Sequence, residues 1–300
     1  MQPVDEGRHA PGPEHASSES LYSESWYFDF CTPEGVGGYV HLALHPAQQR
    51  AWYWACLVQP HSGPVVVRDH DVAPPRGDLL EIRADGLWAE CVCETPLDHW
   101  SLGLEAFGVR LDDPYDAFRG ELGERLPMGH DLSWEATGAA HEPGSTPCGG
   151  RAYLQPGRVH GEVLLGRERI DIDGVGHRAH VWGAFDWRAG GWQWNGITTT
   201  DGGAMSVTAL EGKPAYGARW PAGGAPVDVS SAVARAGGLT IDGEEFDVEE
   251  IGAAPLAFDA PRDDRPSSGR LWRALCRYEG VQASGVGWSA RVIPTTEEQR

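Results

Sequence analysis

The chain has 300 residues, and at about 150 residues per domain this length predicts two domains or one large β-rich domain. Its 24 basic and 44 acidic side chains give a net charge of −20, which argues against binding to nucleic acid or to an anionic membrane surface, because both require clustered positive charge. The hydrophobic content of 41% is sufficient for a packed core, and no stretch approaches the roughly 18 apolar residues of a membrane span.

The aromatic content is unusual. The 13 tryptophans outnumber the 8 tyrosines and the 7 phenylalanines, and they occur together with 40 glycines and 22 prolines. A chain with so many large rings must either pack them densely or line a cavity with them.

Residues 1–20 are polar and rich in Pro, Gly, Ser and Glu, which predicts a disordered lead-in. They lack the basic start and apolar run of a secretory signal. The six cysteines are too sparse for a disulfide framework, so we expect reduced core thiols and a cytoplasmic protein.

Short alternating segments separated by turn residues predict strands along most of the chain, and helical spacing is scarce. Asp85-Gly86 is the strongest hairpin signal, and Asp112–Glu124 reads as a loop or short helix. The predicted strands of the first half are Ser25–Phe30, Gly38–Leu44, Ala51–Val58, Val65–Asp69, Leu79–Ala84, Leu87–Cys93, Trp100–Leu111 and Leu132–Thr137. Those of the second half are Arg158–Gly166, Arg167–Ile172, His180–Asp186, Gly191–Thr199, Met205–Leu210, Ala215–Trp220, Leu239–Ile241, Phe246–Ile251, Leu271–Tyr278 and Val281–Ile293.

The Gly-, Pro- and Ser-rich stretch His141–Gly150 interrupts this rhythm and predicts a boundary between domains at 21–150 and 151–300. The spacing of the strands predicts an all-β protein with two antiparallel barrel or sandwich halves packed side by side.

Residues two apart share one face of a strand, so Trp52 and Trp54 point the same way, as do Trp192 and Trp194. Packing in the core is enough to explain any single one of these tryptophan rings. Paired rings on several strands favour an aromatic-walled pocket.

Acidic candidates lie on such faces as well. Trp88 and Glu90 share a face opposite the small and apolar Cys91, and Glu105 lies on the polar face of its strand. Asp29 interrupts an aromatic strand. Each carboxylate either faces water or lies in a cavity, where desolvation would raise its pKa and make it a proton donor.

The densest polar group lies in Gly174–Trp194 (GVGHRAHVWGAFDWRAGGWQW). This segment has three possible interpretations: a metal site formed by His177, His180 and Asp186, an Arg178–Asp186 pair in an aromatic setting, and acid–base chemistry by His180 or Asp186. Three-residue spacing puts His177 and His180 on opposite faces of a strand, and we expect no metal site. Nucleotide, serine-hydrolase and zinc-protease motifs are absent, so we expect no cofactor.

Several segments together resemble one bacterial family. They are SESWYFDF (Ser23–Phe30), GGYVHLALHP (Gly37–Pro46), AWYWACLV (Ala51–Val58), Val67–Gly108 and GHRAHVWGAFDW (Gly176–Trp187). They are similar to the two-part, lipocalin-like proteins related to the hydroxyneurosporene synthase (carotenoid 1,2-hydratase) superfamily, which includes cofactor-free hydratases, terpene-type cyclases and Diels–Alder cyclases. The resemblance implies two lipocalin-like halves, an apolar polyene-like substrate and no cofactor, while fold analogy does not choose the reaction.

The chain departs from this family in one motif. Close relatives in that family tend to have the motif G-x-R-D-H-S-W-G-x-R-D-W. This chain has Ala179, Val181 and Phe185 at three of its polar positions. The loss of these groups argues against an inherited proton relay. It indicates either a more apolar ligand or a motif that is a structural corner.

The leading hypothesis is a cofactor-independent cyclase or isomerase, either pericyclic with a hydrogen-bond donor on a carbonyl, or acid-initiated with tryptophan faces stabilising a cation. The alternatives are a hydratase of an isoprenoid double bond and a non-catalytic carrier of a hydrophobic molecule; the sequence leaves the oligomeric state open. The candidate catalytic residues are Asp29, Glu90, Glu105, His180 and Asp186. The candidate substrate-binding residues are Trp26, Tyr39, Trp52, Trp54, Trp88, Arg178, Trp182, Trp187, Trp192 and Trp194.

Overall fold

A computed structural model describes residues 6–9, 22–77, 79–120, 123–143, 146, 150–184, 191–210, 212–260 and 267–293. These residues form strands and short 3₁₀ turns, and the part of the chain described contains no helix long and apolar enough to cross a membrane. The all-β prediction is confirmed.

The described residues contain twenty strands. The first ten are β1 (Tyr22–Cys31), β2 (Gly37–His45), β3 (Arg50–Val58), β4 (Val65–Val72), β5 (Leu80–Ala84), β6 (Leu87–Thr95), β7 (His99–Leu111), β8 (Gly123–Ala136), β9 (Arg151–Leu165) and β10 (Glu168–Ala184). The others are β11 (Trp192–Thr199), β12 (Ala204–Leu210), β13 (Tyr216–Trp220), β14 (Val227–Asp228), β15 (Ala232–Arg235), β16 (Gly238–Ile241), β17 (Glu244–Ala253), β18 (Leu256–Ala260), β19 (Ser267–Gly280) and β20 (Ser284–Ile293). The 3₁₀ turns are Pro46–Gln48 and Pro114–Phe118.

The first sheet is an antiparallel barrel. Its order is β4-β3-β2-β1-β10-β9-β8-β7-β6-β5, and β4 also pairs with β7 through Val65 with Arg110 and Val66 with Val109. The ring of strands closes there, while β6 and β5 extend from β7. The predicted hairpin at Asp85-Gly86 joins β5 to β6.

The second sheet has the order β14-β13-β12-β11-β20-β19-β17-β16-β15, with β18 added against β19. It curls so that β12 approaches β15. The prediction of two lipocalin-like all-β halves is confirmed. The sheets divide between Ala184 and Trp192, however, so β9 and β10 belong to the first sheet although they follow residue 150.

The two halves pack face to face, which gives three apolar layers: the interior of the barrel, the interior of the second sheet, and the layer between them. β1 is buried along both faces because Trp26 and Phe28 point into the barrel while Tyr27 points at the second sheet. Its aromatic run therefore fills two layers at once.

Glycine makes the central pairing possible. The sequence predicts two strands in the region that β10 covers as one, because Gly174 and Gly176 interrupt the pattern. A Cβ at Gly176 would lie 1.9 Å from the carbonyl oxygen of Asp29, so only glycine allows β10 to approach β1 this closely.

Trp288 joins the two halves. Its ring is completely buried, meets Tyr39 edge-on at 5.4 Å, and donates from Nε1 to the Phe30 carbonyl oxygen of the first sheet at 2.9 Å. Trp272 makes the comparable indole bond to Glu250 at 3.0 Å, but that carboxylate is 36% exposed.

We expect Trp288→Phe to lower the free energy of unfolding by about 2 kcal/mol more than Trp272→Phe, because it removes a fully buried hydrogen bond between the sheets. Both changes remove one indole N–H and a similar ring volume. Urea unfolding of the two variants measures the difference, and equal losses would contradict the inter-sheet role of Trp288.

Candidate functional site

A cavity of about 130 Å³ lies between the two sheets. Its first wall includes Tyr27 on β1 and Val181 on β10, and its second wall includes Trp192 and Trp194 on β11. The other lining residues are Ser25, His41, Thr146, Ala152, Leu154, Ala179, Thr208, Tyr216, Arg273 and Ala290. The cavity is thus an aromatic and apolar space, comparable in volume to one that holds a benzene ring.

Arg273 is the one permanently charged side chain among the residues that line this cavity. It is only 6% exposed, and its guanidinium carbon lies 4.5 Å from the ring centre of Tyr39, 4.7 Å from that of Tyr27 and 5.6 Å from that of Trp54. Cation–π attraction to three rings offsets part of the cost of burying the charge.

The hydrogen-bonding capacity of Arg273 is mostly unused. Its Nη2 lies 3.3 Å from Nδ1 of His41, whereas Nε and Nη1 have no hydrogen-bond partner among the described residues. Buried donors without acceptors are costly and rare in folded proteins. Arg273 therefore lines an apolar cavity with a buried guanidinium, two of whose donor atoms have no acceptor among the described residues.

Asp29 lies beside this group, between the sheets. It is 1% exposed, and Oδ1 accepts the backbone N–H of His177 at 2.8 Å. Burial raises the pKa of Asp29 to about 7, although the His177 N–H, the Tyr27 hydroxyl and the charge of Arg273 act in the opposite direction. Its carboxyl group is therefore partly protonated near neutral pH.

The neighbours of Asp29 have perturbed pKa values too. Burial, followed by the charge of Asp29, raises the pKa of Tyr27 well above its usual value. Burial and the charge of Arg273 hold the pKa of His41 well below its usual value, so His41 is neutral at pH 7. Arg273 and Asp29 are the two groups here that carry charge near neutral pH.

The structure brings some of the predicted site residues to this place. Trp192 and Trp194 line the cavity, with Trp194 edge-on to Tyr27 at 5.3 Å. Tyr39 and Trp54 lie next to the Arg273 guanidinium. Trp52 stacks on Trp54 at 5.5 Å in the same inter-sheet layer, away from the cavity lining.

Three other predicted residues lie on the outer face of the barrel. Glu105 is exposed, and Glu90 and Trp88 are half-buried. The indole of Trp88 donates to Glu81 at 2.9 Å. None of the three lines the cavity, because their faces of β6 and β7 point away from both apolar interiors.

The remaining predicted residues follow the motif strand β10. Arg178, His180 and Trp182 lie on the barrel side of β10, and Trp26 of β1 lies beneath His180 at 4.7 Å. His177 lies on the opposite, inter-sheet side near Asp29, as the three-residue spacing predicts. Asp186 and Trp187 lie outside the described residues.

Arg273, Tyr27 and His41 are not among the site residues predicted from the sequence. A signal for Arg273 was present: within the predicted strand Leu271–Tyr278, the run LWRALC (Leu271–Cys276) is apolar on both faces except at Arg273. A lone arginine in a strand that is otherwise buried on both sides indicates a paired or functional cation.

The family of the chain is shown by a sequence profile that matches residues 2–292 and is described as a domain of unknown function, DUF7064. The chain belongs to this family. No protein with a curated description matches it significantly.

Solved structures share the fold. A Nitrosomonas europaea protein described as an AttH (NE1406) superposes with a TM-score of 0.63 at 14% identity, covering 98% of this chain and 96% of that one. CghA superposes with a TM-score of 0.53 at 12% identity in complex with Sch210972, and with a TM-score of 0.51 at 11% identity in a second structure. Both CghA superpositions cover 90% of this chain and 88% of that one.

The elevated pKa of Asp29 leads to a pH dependence of stability. Because its pKa is about 7 in the folded protein, against an ordinary value of 3.8 for an exposed aspartate, the folded protein holds a proton that the unfolded chain has lost between these values. Asp29 thus favours folding below pH 4, and this contribution is lost as the pH rises to 7.

We expect Asp29→Asn, which keeps the oxygen that accepts the His177 N–H, to remove this dependence. Relative to the variant, the wild-type protein should lose about 1.4 kcal/mol of unfolding free energy per pH unit between pH 4 and 7. Urea titrations of both proteins at several pH values measure it. Parallel pH profiles would show that Asp29 is ionised throughout.

Proposed function

We propose that this protein is a cofactor-independent cyclase that closes a ring in an apolar, polyene-like molecule carrying a carbonyl group. The observation that carries the proposal is the buried Arg273 guanidinium, which lines an aromatic cavity and has two donor atoms without an acceptor among the described residues. A carbonyl oxygen is the uncharged ligand group that accepts such donors while the rest of the molecule remains apolar.

The arrangement suits an intramolecular cycloaddition. A conjugated diene and an alkene attached to the carbonyl combine, so that two carbon–carbon σ bonds form while three π bonds become one. No proton, electron or leaving group enters or leaves, and the product is an isomer of the substrate. Hydrogen bonds from Arg273 to the carbonyl withdraw electron density from the alkene and stabilise the transition state.

The aromatic walls of the cavity make a second contribution to the rate of ring closure. A flexible polyene loses conformational freedom when its ends meet, and the rings of Tyr27, Trp192 and Trp194 restrict it before reaction. The cavity of about 130 Å³ fits the ring that forms, so the remainder of a long substrate lies outside it.

Asp29 is a positioning residue in this scheme, since Tyr27 rather than Asp29 lines the cavity. Its carboxyl group interacts with the Tyr27 hydroxyl and with the charge of Arg273. It therefore orients the aromatic wall and sets how much of the Arg273 charge remains available to the substrate.

The positive charge of Arg273 disfavours the two acid-initiated alternatives. A terpene-type cyclisation and the hydration of an isoprenoid alkene both pass through a carbocation. A permanent guanidinium charge in a buried cavity repels such a cation. The geometry therefore favours cyclisation by carbonyl activation over a cationic route.

The structural neighbours are consistent with a small-molecule site. CghA, which has this fold, was solved with Sch210972. At 12% identity, that similarity supports a ligand-binding version of the fold and leaves the ligand of this chain to experiment.

The test is incubation of the purified protein with linear polyenes that carry an α,β-unsaturated carbonyl, without added metal or nucleotide. We expect a cyclic product of unchanged mass, and a loss of about 100-fold in rate for Arg273→Met. The matched control is Arg277→Met on the same strand, whose side chain is half-exposed and pairs with Glu249.

Other outcomes identify the alternatives. A product heavier by one water would indicate a hydratase. Binding of the polyene without conversion, unchanged by Arg273→Met, would indicate a carrier. Conversion at the wild-type rate in Arg273→Met would contradict the assigned role of Arg273.

A further inference from the structure

The opposite face of β1 and β10 carries a second polar cluster, at the mouth of the first barrel. Nδ1 of His9 and Nε2 of His180 each lie 2.9 Å from the same oxygen of Glu24. The side chains of His9, Glu24 and His180 are 24%, 3% and 0% exposed. Three distant parts of the sequence therefore converge on one buried point.

We propose that His9, Glu24 and His180 bind a divalent transition-metal ion of the Zn²⁺ type, which fastens the N-terminal segment to the barrel. The three ligand atoms lie within 4.8 Å of one another, and in the described part of the chain no other group of His, Cys, Asp or Glu side chains meets this criterion. Two imidazoles and one carboxylate are a common ligand set for Zn²⁺ with an open fourth position.

The protonation states suit a metal ion. Burial raises the pKa of Glu24, but hydrogen bonds from His180 and His9 outweigh it and hold that pKa below its usual value, so Glu24 is ionised. Burial holds the pKa of His180 below its usual value despite the opposing effect of Glu24, so His180 is neutral. When the metal ion binds, the proton of His180 moves from Nε2 to Nδ1 and frees the Nε2 lone pair. A buried anion beside a neutral ligand gains from a divalent cation.

The neighbouring side chains hold the ligands in place. The ring of His9 stacks on Trp182 at 4.1 Å, and that of His180 stacks on Trp26 at 4.7 Å. The backbone N–H of His9 lies 3.0 Å from both oxygens of Glu24. The donor atoms are thus oriented before a metal arrives, which lowers the entropic cost of binding it.

The environment of His180 sets the expected affinity. Metal binding to Nε2 of His180 requires the proton on Nδ1, and Nδ1 has no hydrogen-bond partner among the described residues. A missing partner at this position typically weakens metal affinity about 10- to 100-fold. We therefore expect micromolar rather than nanomolar binding.

The site is independent of the proposed cyclase function, because β1 and β10 separate it from the cavity. Glu24 and His180 point into the barrel, whereas Ser25 and Val181 line the cavity. The sequence predicts no metal site at His177, His180 and Asp186, because two of these side chains lie on opposite faces of a strand. The folded chain instead joins His180 to His9 and Glu24.

The test is titration of the tag-free, chelator-treated, full-length protein with Zn²⁺ against a competing chromophoric chelator, with Mg²⁺ as a comparison ion. We expect one equivalent of Zn²⁺ at micromolar Kd, and at least 10-fold weaker binding for His9→Ala and Glu24→Gln. His160→Ala is the control, since His160 is an exposed histidine on β9 outside the cluster.

His9→Ala is the decisive variant, because residue 9 belongs to no strand and its loss leaves the pairing of both sheets intact. Zn²⁺ should also raise the thermal unfolding midpoint of the wild-type protein and have no such effect on His9→Ala. Binding weaker than millimolar, or micromolar binding unchanged by His9→Ala, would overturn the proposal. Neither readout depends on catalysis, so failure here and failure of the cyclase proposal are distinguishable.

Discussion

Burial of β1 and of the second half of β10 on both faces is the constraint on which this structure depends. Each strand must place one set of side chains inside the barrel and the alternate set against the second sheet. The close approach at Gly176 permits their pairing, and the Trp288 bond to Phe30 holds the second sheet on the outer face. Both candidate sites follow from this, since each uses one face of the same two strands.

Burying the charged Arg273 guanidinium in the layer between the sheets costs free energy. A buried guanidinium surrounded by Tyr27, Tyr39 and Trp54 is less stable than an apolar residue of equal volume unless its donors are used. Asp29 only partly neutralises it, because burial raises the pKa of that carboxyl group to about 7. The donors of Arg273 that have no acceptor among the described residues add to this cost.

The two faces of β10, the strand that carries the motif, have different surroundings. Ala179 and Val181, which replace polar residues of the resembling family, line the cavity and make it more apolar. Arg178 is held on the barrel side, where Nη1 and Nη2 donate to the carboxylate of Glu6 at 3.1 and 2.5 Å and the guanidinium lies 5.1 Å from the Trp134 ring. Of the two explanations for the altered motif, the more apolar ligand agrees with the side of β10 on which the substitutions fall.

The sequence by itself determined the all-β class, most of the strands, and the fact that Trp192 and Trp194 share one face of a strand. Alternation and turn chemistry are local properties, which is why the sequence alone shows them. It did not reveal that β9 and β10 join the first sheet, that Glu105 faces outward, or that the charge of Arg273 on a late strand acts on Asp29 of the first strand. Only the tertiary structure decided these, because which face of a strand is buried depends on the sheets that pack against it, and those contacts join residues far apart in the chain.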